Sequence, residues 1–187
     1  MGQYYFVAFK RGDGKAVVNE RKFKNSEYVG AKLMEHSYIG NWFCNSVLAD
    51  IAKNGKTRIA WVGDYAEDDE LREITNGDLN YDMVWGDHDN PHRFGTHRFG
   101  YRGKFLVNHS KRKYVSFDGV RKFAKKEGLR WPINPLPLLT AIGNGRGGGD
   151  YSGENESLVG TWAWDEISVE KSIPAGYEPE DAFFKEF

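Results

Sequence analysis

A single cysteine, Cys44, excludes an internal disulfide framework and a four-cysteine zinc site, and a reducing compartment is the simplest setting for such a chain. No apolar run approaches the roughly 18 residues of a membrane span, and the first residues lack the basic-then-apolar order of a secretory leader. Gly2 begins as a myristoylation signal begins, but Phe6 stands where that signal has Ser or Thr. The expected location is the cytoplasm, with no membrane partner. Proline is scarce, at six residues against 22 glycines, and no long low-complexity linker divides the chain. A chain of 187 residues buries roughly 70% of its unfolded surface, enough for one domain over 1–187 without a structural metal.

Net charge is also nearly absent, but its distribution is not uniform. Residues 64–91 hold 10 acidic and 1 basic side chains, residues 92–130 hold 12 basic and 2 acidic, and residues 150–187 hold 10 acidic and 2 basic. The basic tract interleaves cations with rings: Arg93, Phe94, Arg98, Phe99, Tyr101, Arg102, Lys104 and Phe105, then Lys111 to Tyr114. Cations neutralise phosphates and rings stack on bases, so the mixture suits a nucleotide or a single strand. The alternative is that blocks of opposite sign face one another across the fold.

Tyr4–Phe9 is apolar at every position, the pattern of a central strand covered on both faces. Asp13-Gly14 supplies a turn into a returning strand at Ala16–Val18. Ile39, Phe43, Val47 and Ile51 recur every fourth residue, predicting an amphipathic helix that Asn54-Gly55 ends. Arg58–Val62, Lys104–Val107 and Tyr114–Phe117 read as strands of one sheet. Asp118 is the expected N-cap of a helix through Lys126, and Asn134-Pro135 opens another reaching Ile142. Val159–Val169 reads as a strand and Pro179-Glu180-Asp181 as a last helical turn, docked by Phe183, Phe184 and Phe187. The expected fold is α+β, a single domain with a mostly antiparallel sheet and two to four helices.

Three groupings carry candidate chemistry. The first runs from Gly143 to Gly153, including Asn144, Gly145, Arg146, Gly147, Gly148, Asp150 and Tyr151. Glycines let successive amides converge on an anion, and Arg146 would add a bidentate grip on phosphate. The spacing contains Gly-x-Gly-x-x-Gly, yet no strand precedes it, no helix pattern follows and no Lys-Ser or Lys-Thr completes a phosphate loop. No cofactor is assigned, and a plain connecting loop is the alternative. The second is Asp87-His88-Asp89-Asn90-Pro91-His92 with His97, rich in metal-ligating groups but without helix-borne ligand spacing, so no metal is named. The third lies at element ends: His36 before a helix, Asp64 after one strand, Asn108 and His109 after another. On a shared rim, His36 and His109 would exchange protons with Asp64 orienting one imidazole. Ser37 and Ser110 directly follow their histidines, which departs from the spacing of two-histidine phosphoesterases.

Met-Gly-Gln-Tyr-Tyr at the start, Lys32 to Asn41, Trp61-Val62-Gly63-Asp64-Tyr65 and Pro135 to Thr140 with the glycine run resemble a group of small bacterial and phage proteins without assigned activity. The resemblance implies a bacterial or phage cytoplasmic setting and carries over no residue roles. The leading expectation is non-catalytic binding of a phosphorylated ligand, a nucleotide or short single-stranded nucleic acid, through the glycine loop, Arg98, Arg102 and Asn108. A histidine-based hydrolase of phosphoester or glycosidic bonds is one alternative. The other is an interaction protein whose acidic C-terminal segment meets a host partner.

Overall fold

The computed structural model of the chain describes residues 2–19, 31–86 and 98–186. Its first strand, β1 (Tyr5–Lys10), is covered on both faces, as its uniform apolarity predicts: Tyr5, Val7 and Phe9 enter the larger core, and Phe6 and Ala8 the smaller. The Gly14 N–H donates to the Arg11 carbonyl and turns the chain into β2 (Val17–Val18), a two-residue edge partner that leaves β1 one place from the edge. After α1 (Leu33–His36) comes α2 (Trp42–Asn54), which begins three residues beyond Ile39. Asn41 sets that start, because its Oδ1 accepts from the Phe43 and Cys44 amides at 2.9 and 3.2 Å. Gly55 ends the helix at φ 81°, where a side chain would be strained.

Strand β3 (Thr57–Gly63) runs antiparallel to β1 through the middle of the sheet. The helix α2 lays Phe43, Val47, Leu48 and Ile51 on one face of these strands. On the other, α3 (Asp68–Ile74) and α4 (Tyr81–Trp85) bring Leu71 and Val84 against Phe6, Ala60 and Val62. A hairpin of β4 (Phe105–Asn108) and β5 (Lys113–Ser116) leads directly into α5 (Phe117–Lys126). Its cap is Ser116, whose hydroxyl accepts from the Gly119 N–H; Asp118, the expected cap, accepts instead from the Gly103 N–H at 2.9 Å.

Three expectations fail nearer the C-terminus. Helix α6 (Pro135–Leu139) stops at Thr140, and Ala141–Ile142 forms β6, parallel to β3, because a sheet position was open beside Trp61 and Val62. After β7 (Gly153–Glu154), only the second half of Val159–Val169 is strand, β8 (Glu166–Glu170). Gly160 at φ 78° and Trp164 at φ 60° turn the first half away. Where a helical turn was expected, the chain forms β9 (Glu178–Pro179) and then β10 (Lys185–Glu186), which pairs with β7. Phe184 is buried and Phe183 stacks on Phe123 at 5.4 Å, so both dock on the core, while Phe187 lies outside the described residues.

The main sheet has the order β2-β1-β3-β8-β4-β5-β9, with β6 also beside β3, and most pairings are antiparallel. The fold is α+β. Among the described residues there are six α-helices, of which only α2 and α5 exceed eight residues. No described helix is long and apolar enough to cross a membrane.

Candidate functional site

The glycine-rich loop connects β6 to β7, beyond the end of β3. Its amides converge, but on the chain's own carboxylate. The N–H groups of Gly145, Arg146 and Gly147 donate to Asp150 Oδ2 at 2.8, 2.8 and 2.9 Å, and the Tyr5 hydroxyl donates to Oδ1 at 2.7 Å. Asn144 and Tyr151 close the loop base with two hydrogen bonds of 3.0 and 2.8 Å. The Gly148 carbonyl accepts from the Gln3 N–H, and Arg146 reaches the Tyr65 carbonyl and Glu70. This corrects the expectation that Asn144, Gly145, Arg146, Gly147, Gly148, Asp150 and Tyr151 cradle an external anion: the nest is filled from within. Burial and the bond to Asp150 push the Tyr5 phenol well above its ordinary range. Asp64, nearby, is raised by desolvation, and the Asp150 charge adds to this.

Asp64 does not share a rim with His109. The His109 N–H donates to the Glu166 carbonyl, and Glu166 pairs with Arg58 near the start of β3. Asp64 follows Gly63 at the other end, so six strand residues, about 20 Å at ~3.3 Å each, separate the two. His109 is instead the middle of a hydrogen-bonded row. The Ser168 hydroxyl donates a hydrogen bond to Glu170 at 2.7 Å, so its oxygen accepts from His109 Nε2–H at 2.8 Å, and Nδ1 accepts from the Tyr177 hydroxyl at 3.0 Å. Burial lowers the His109 pKa, with the Lys56 charge acting in the same direction. His36 Nδ1 accepts from the Lys32 N–H at 3.0 Å and closes the turn of α1. The expected catalytic set of His36, His109 and Asp64 thus does not share one rim, because His109 and Asp64 stand at opposite ends of β3.

Asn108 is buried and donates to Asp165 at 2.7 Å, which removes it from a ligand role. The thiol of Cys44 is buried and pushed up to about 12 by desolvation, as its place in the apolar stripe of α2 predicts. The metal-ligand run 87–97 lies outside the described residues. Among those described, no three His, Cys, Asp or Glu side chains form a group able to hold a metal ion.

The basic tract divides into two kinds of residue. Phe99 and Tyr101 are buried, packing edge-on against one another and Phe117 at 4.8 to 5.9 Å, so they are core rings and not stacking platforms. Lys111 and Lys113 pair with Asp165 and Glu180 at 3.0 and 2.7 Å, so these acidic and basic blocks do meet across the fold. Arg98 and Arg102 are exposed and have no ring or carboxylate partner among the described residues.

The unpaired cations concentrate on α5. Arg121, Lys122 and Lys125 are exposed on one side of the helix and carry no ion pair among the described residues; Lys126, also exposed, is 4.0 Å from Glu127. The opposite side buries Phe117, Val120 and Ala124, which fixes the direction of the charged face. Beyond the helix, Arg130 and Trp131 project from the connection to α6. Trp131 is 59% exposed, and the Arg130 guanidinium lies 5.2 Å from its ring centre. Beside it opens a groove of about 550 Å³ whose lining combines apolar side chains such as Met34, Leu129 and Ile133 with Ser37, Arg130, Glu35 and Glu186.

The groove walls are joined through the main chain. The Ile39 N–H donates to the Pro132 carbonyl at 2.7 Å and the Asn134 N–H to the Ser37 carbonyl at 2.9 Å, bracketing a bridge between Tyr38 and Ile133. Sequence reasoning missed Trp131, Tyr38 and Glu186. The available signal was Arg130-Trp131 between the helix-ending Gly128 and Pro132, a large ring at a position outside any periodic pattern. In comparisons with known proteins, no family model, no curated protein and no solved structure matches this chain.

Proposed function

We propose that the chain is a non-catalytic binding module for single-stranded nucleic acid or a nucleotide, engaged by the basic face of α5 and the neighbouring Trp131. The observation that carries this reading is the exposed Trp131 ring just beyond a helix whose Arg121, Lys122 and Lys125 have no carboxylate partner among the described residues. Five residues of helix separate Arg121 from Lys126, about 7.5 Å at ~1.5 Å each, comparable with the spacing of neighbouring phosphates along a strand. A buried aromatic needs no ligand, but an exposed indole with a guanidinium on its face offers the stacking platform that unpaired bases use. The phosphate chemistry expected at the glycine loop thus moves to a different surface.

Fluorescence anisotropy of a labelled oligothymidylate at 50 and 200 mM salt tests the proposal. Contact with three or four phosphates gives a log–log salt slope of roughly −2 to −3, from about −0.7 per phosphate on single strands. Replacing Arg121, Lys122 and Lys125 together by alanine preserves helix propensity and abolishes most of that slope. Binding independent of salt, or unchanged in the triple variant, refutes the reading.

A further inference from the structure

We infer that the groove beside Trp131 selects an unpaired guanine from a bound single strand, an inference that rests on the reading of α5 and Trp131 as a nucleic-acid surface. The lining is sorted by chemistry. Its broad surfaces are apolar, from Met34, Tyr38, Leu129, Trp131 and Ile133, and its polar lining is Ser37, the Arg130 cation and the acidic Glu35 and Glu186. Three cations of α5, unpaired among the described residues, draw phosphates to the helix, whereas the groove sets Glu35 and Glu186 against the single cation Arg130, so a bound strand is oriented with its backbone on the helix and a base in the groove.

The rings provide a platform for that base. Tyr38 and Trp131 touch one another, 5.4 Å apart between centres and inclined at 49°, too close for a base to enter between them, so it stacks on an outer ring face within the groove. A volume of about 550 Å³ falls within the ordinary range of small-ligand sites, roughly 300–1,000 Å³. The two walls are already joined by main-chain hydrogen bonds, so little ordering accompanies entry.

The carboxylates decide which base. An ionised carboxylate only accepts hydrogen bonds, and its two oxygens match two adjacent donors. Guanine alone presents such a pair on its pairing edge, N1–H beside the 2-amino group. Adenine and cytosine place a ring-nitrogen acceptor next to their amino group, and thymine or uracil flanks its single N–H with two carbonyls, so each sets a lone pair against the carboxylate. Glu35 already holds the Lys32 ammonium at 2.8 Å. The Glu186 side chain has no hydrogen bond or ion pair among the described residues, and it is the guanine-reading residue.

The test uses labelled eight-residue oligothymidylates carrying one central guanine, adenine, cytosine or hypoxanthine, titrated into the full chain by anisotropy. Guanine is expected to bind about tenfold tighter than adenine or cytosine, the scale of a bidentate base contact. Hypoxanthine, which lacks the 2-amino group, should lose most of that gain. In Glu186→Gln the preference should fall to about twofold with the salt dependence retained, and Trp131→Ala should weaken every sequence. If all bases bind within twofold of one another with the salt dependence intact, the inference fails and the nucleic-acid reading stands. If no oligonucleotide binds, both fail. A full guanine preference in Glu186→Gln also overturns the assignment, as does loss of the wild-type guanine preference in millimolar choline, which would mark the groove as a site for a quaternary cation.

Discussion

Removing the Asp150 carboxylate should destabilise the protein and expose a latent anion site. In Asp150→Ala the amides of Gly145, Arg146 and Gly147 and the hydroxyl of Tyr5 lose their acceptor together. Gly145 and Arg146 are exposed and rehydrate, so their bonds are worth about 0.5–1 kcal/mol each, but Tyr5 is wholly buried and its orphaned hydroxyl costs about 1–3 kcal/mol. Relief of repulsion from Asp64 offsets part of this. The expected net loss is about 3 kcal/mol, a fall in Tm of roughly 6–12 °C for a domain of this size. Urea unfolding followed by circular dichroism measures the first quantity and calorimetry the second. The emptied nest should then accept sulfate. At a concentration ten times Kd the variant regains about 1.4 kcal/mol relative to the parent in the same salt. A loss below about 1 kcal/mol, or equal sulfate responses, would refute the view that Asp150 is the anion for which the loop is built.

Other substitutions probe the frame that holds the surface. Gln3 is fully buried with both ends of its amide lacking a hydrogen-bond partner among the described residues, so Gln3→Met should raise stability by about 1–2 kcal/mol in urea titration. Gly160→Ala should lower it by more than about 1 kcal/mol, because φ is 78° and a Cβ would stand 2.6 Å from the Ala141 carbonyl oxygen. The folded pKa of His109 lies below the ordinary 6.5, so the unfolded chain binds the extra proton first. Stability from this group is complete above pH 6.5 and falls as pH drops through the window beneath it. Wild type should therefore lose more stability than His109→Asn between pH 7 and 5, and parallel profiles would remove His109 as the cause.

Local physics was legible where one pattern dominated. The unbroken apolarity of β1, the four-residue period of α2, the mostly antiparallel α+β sheet and the inert burial of Cys44 all follow from side chains whose preferences agree with their surroundings. Failures came where a distant segment supplied the deciding partner. Ala141–Ile142 continues a helical pattern and becomes a strand because β3 has an open side, and Lys185–Glu186 is a strand because β7 lies opposite. The glycines from Gly143 onward announced an anion nest, and a nest formed; that its anion is Asp150, fixed in turn by Tyr5 some 145 residues earlier, depends on chain closure over that distance.

Composition and periodicity were sufficient to establish a single α+β domain with one strand covered on both faces and an uneven charge pattern, since burial and backbone preference act over a few residues. Which cations remain unpaired, which rings stay exposed and which histidines meet was decided only in the folded chain. Coulombic pairing such as Lys113 with Glu180 at 2.7 Å joins residues far apart in order, and it left the α5 face and Trp131 as the open surface.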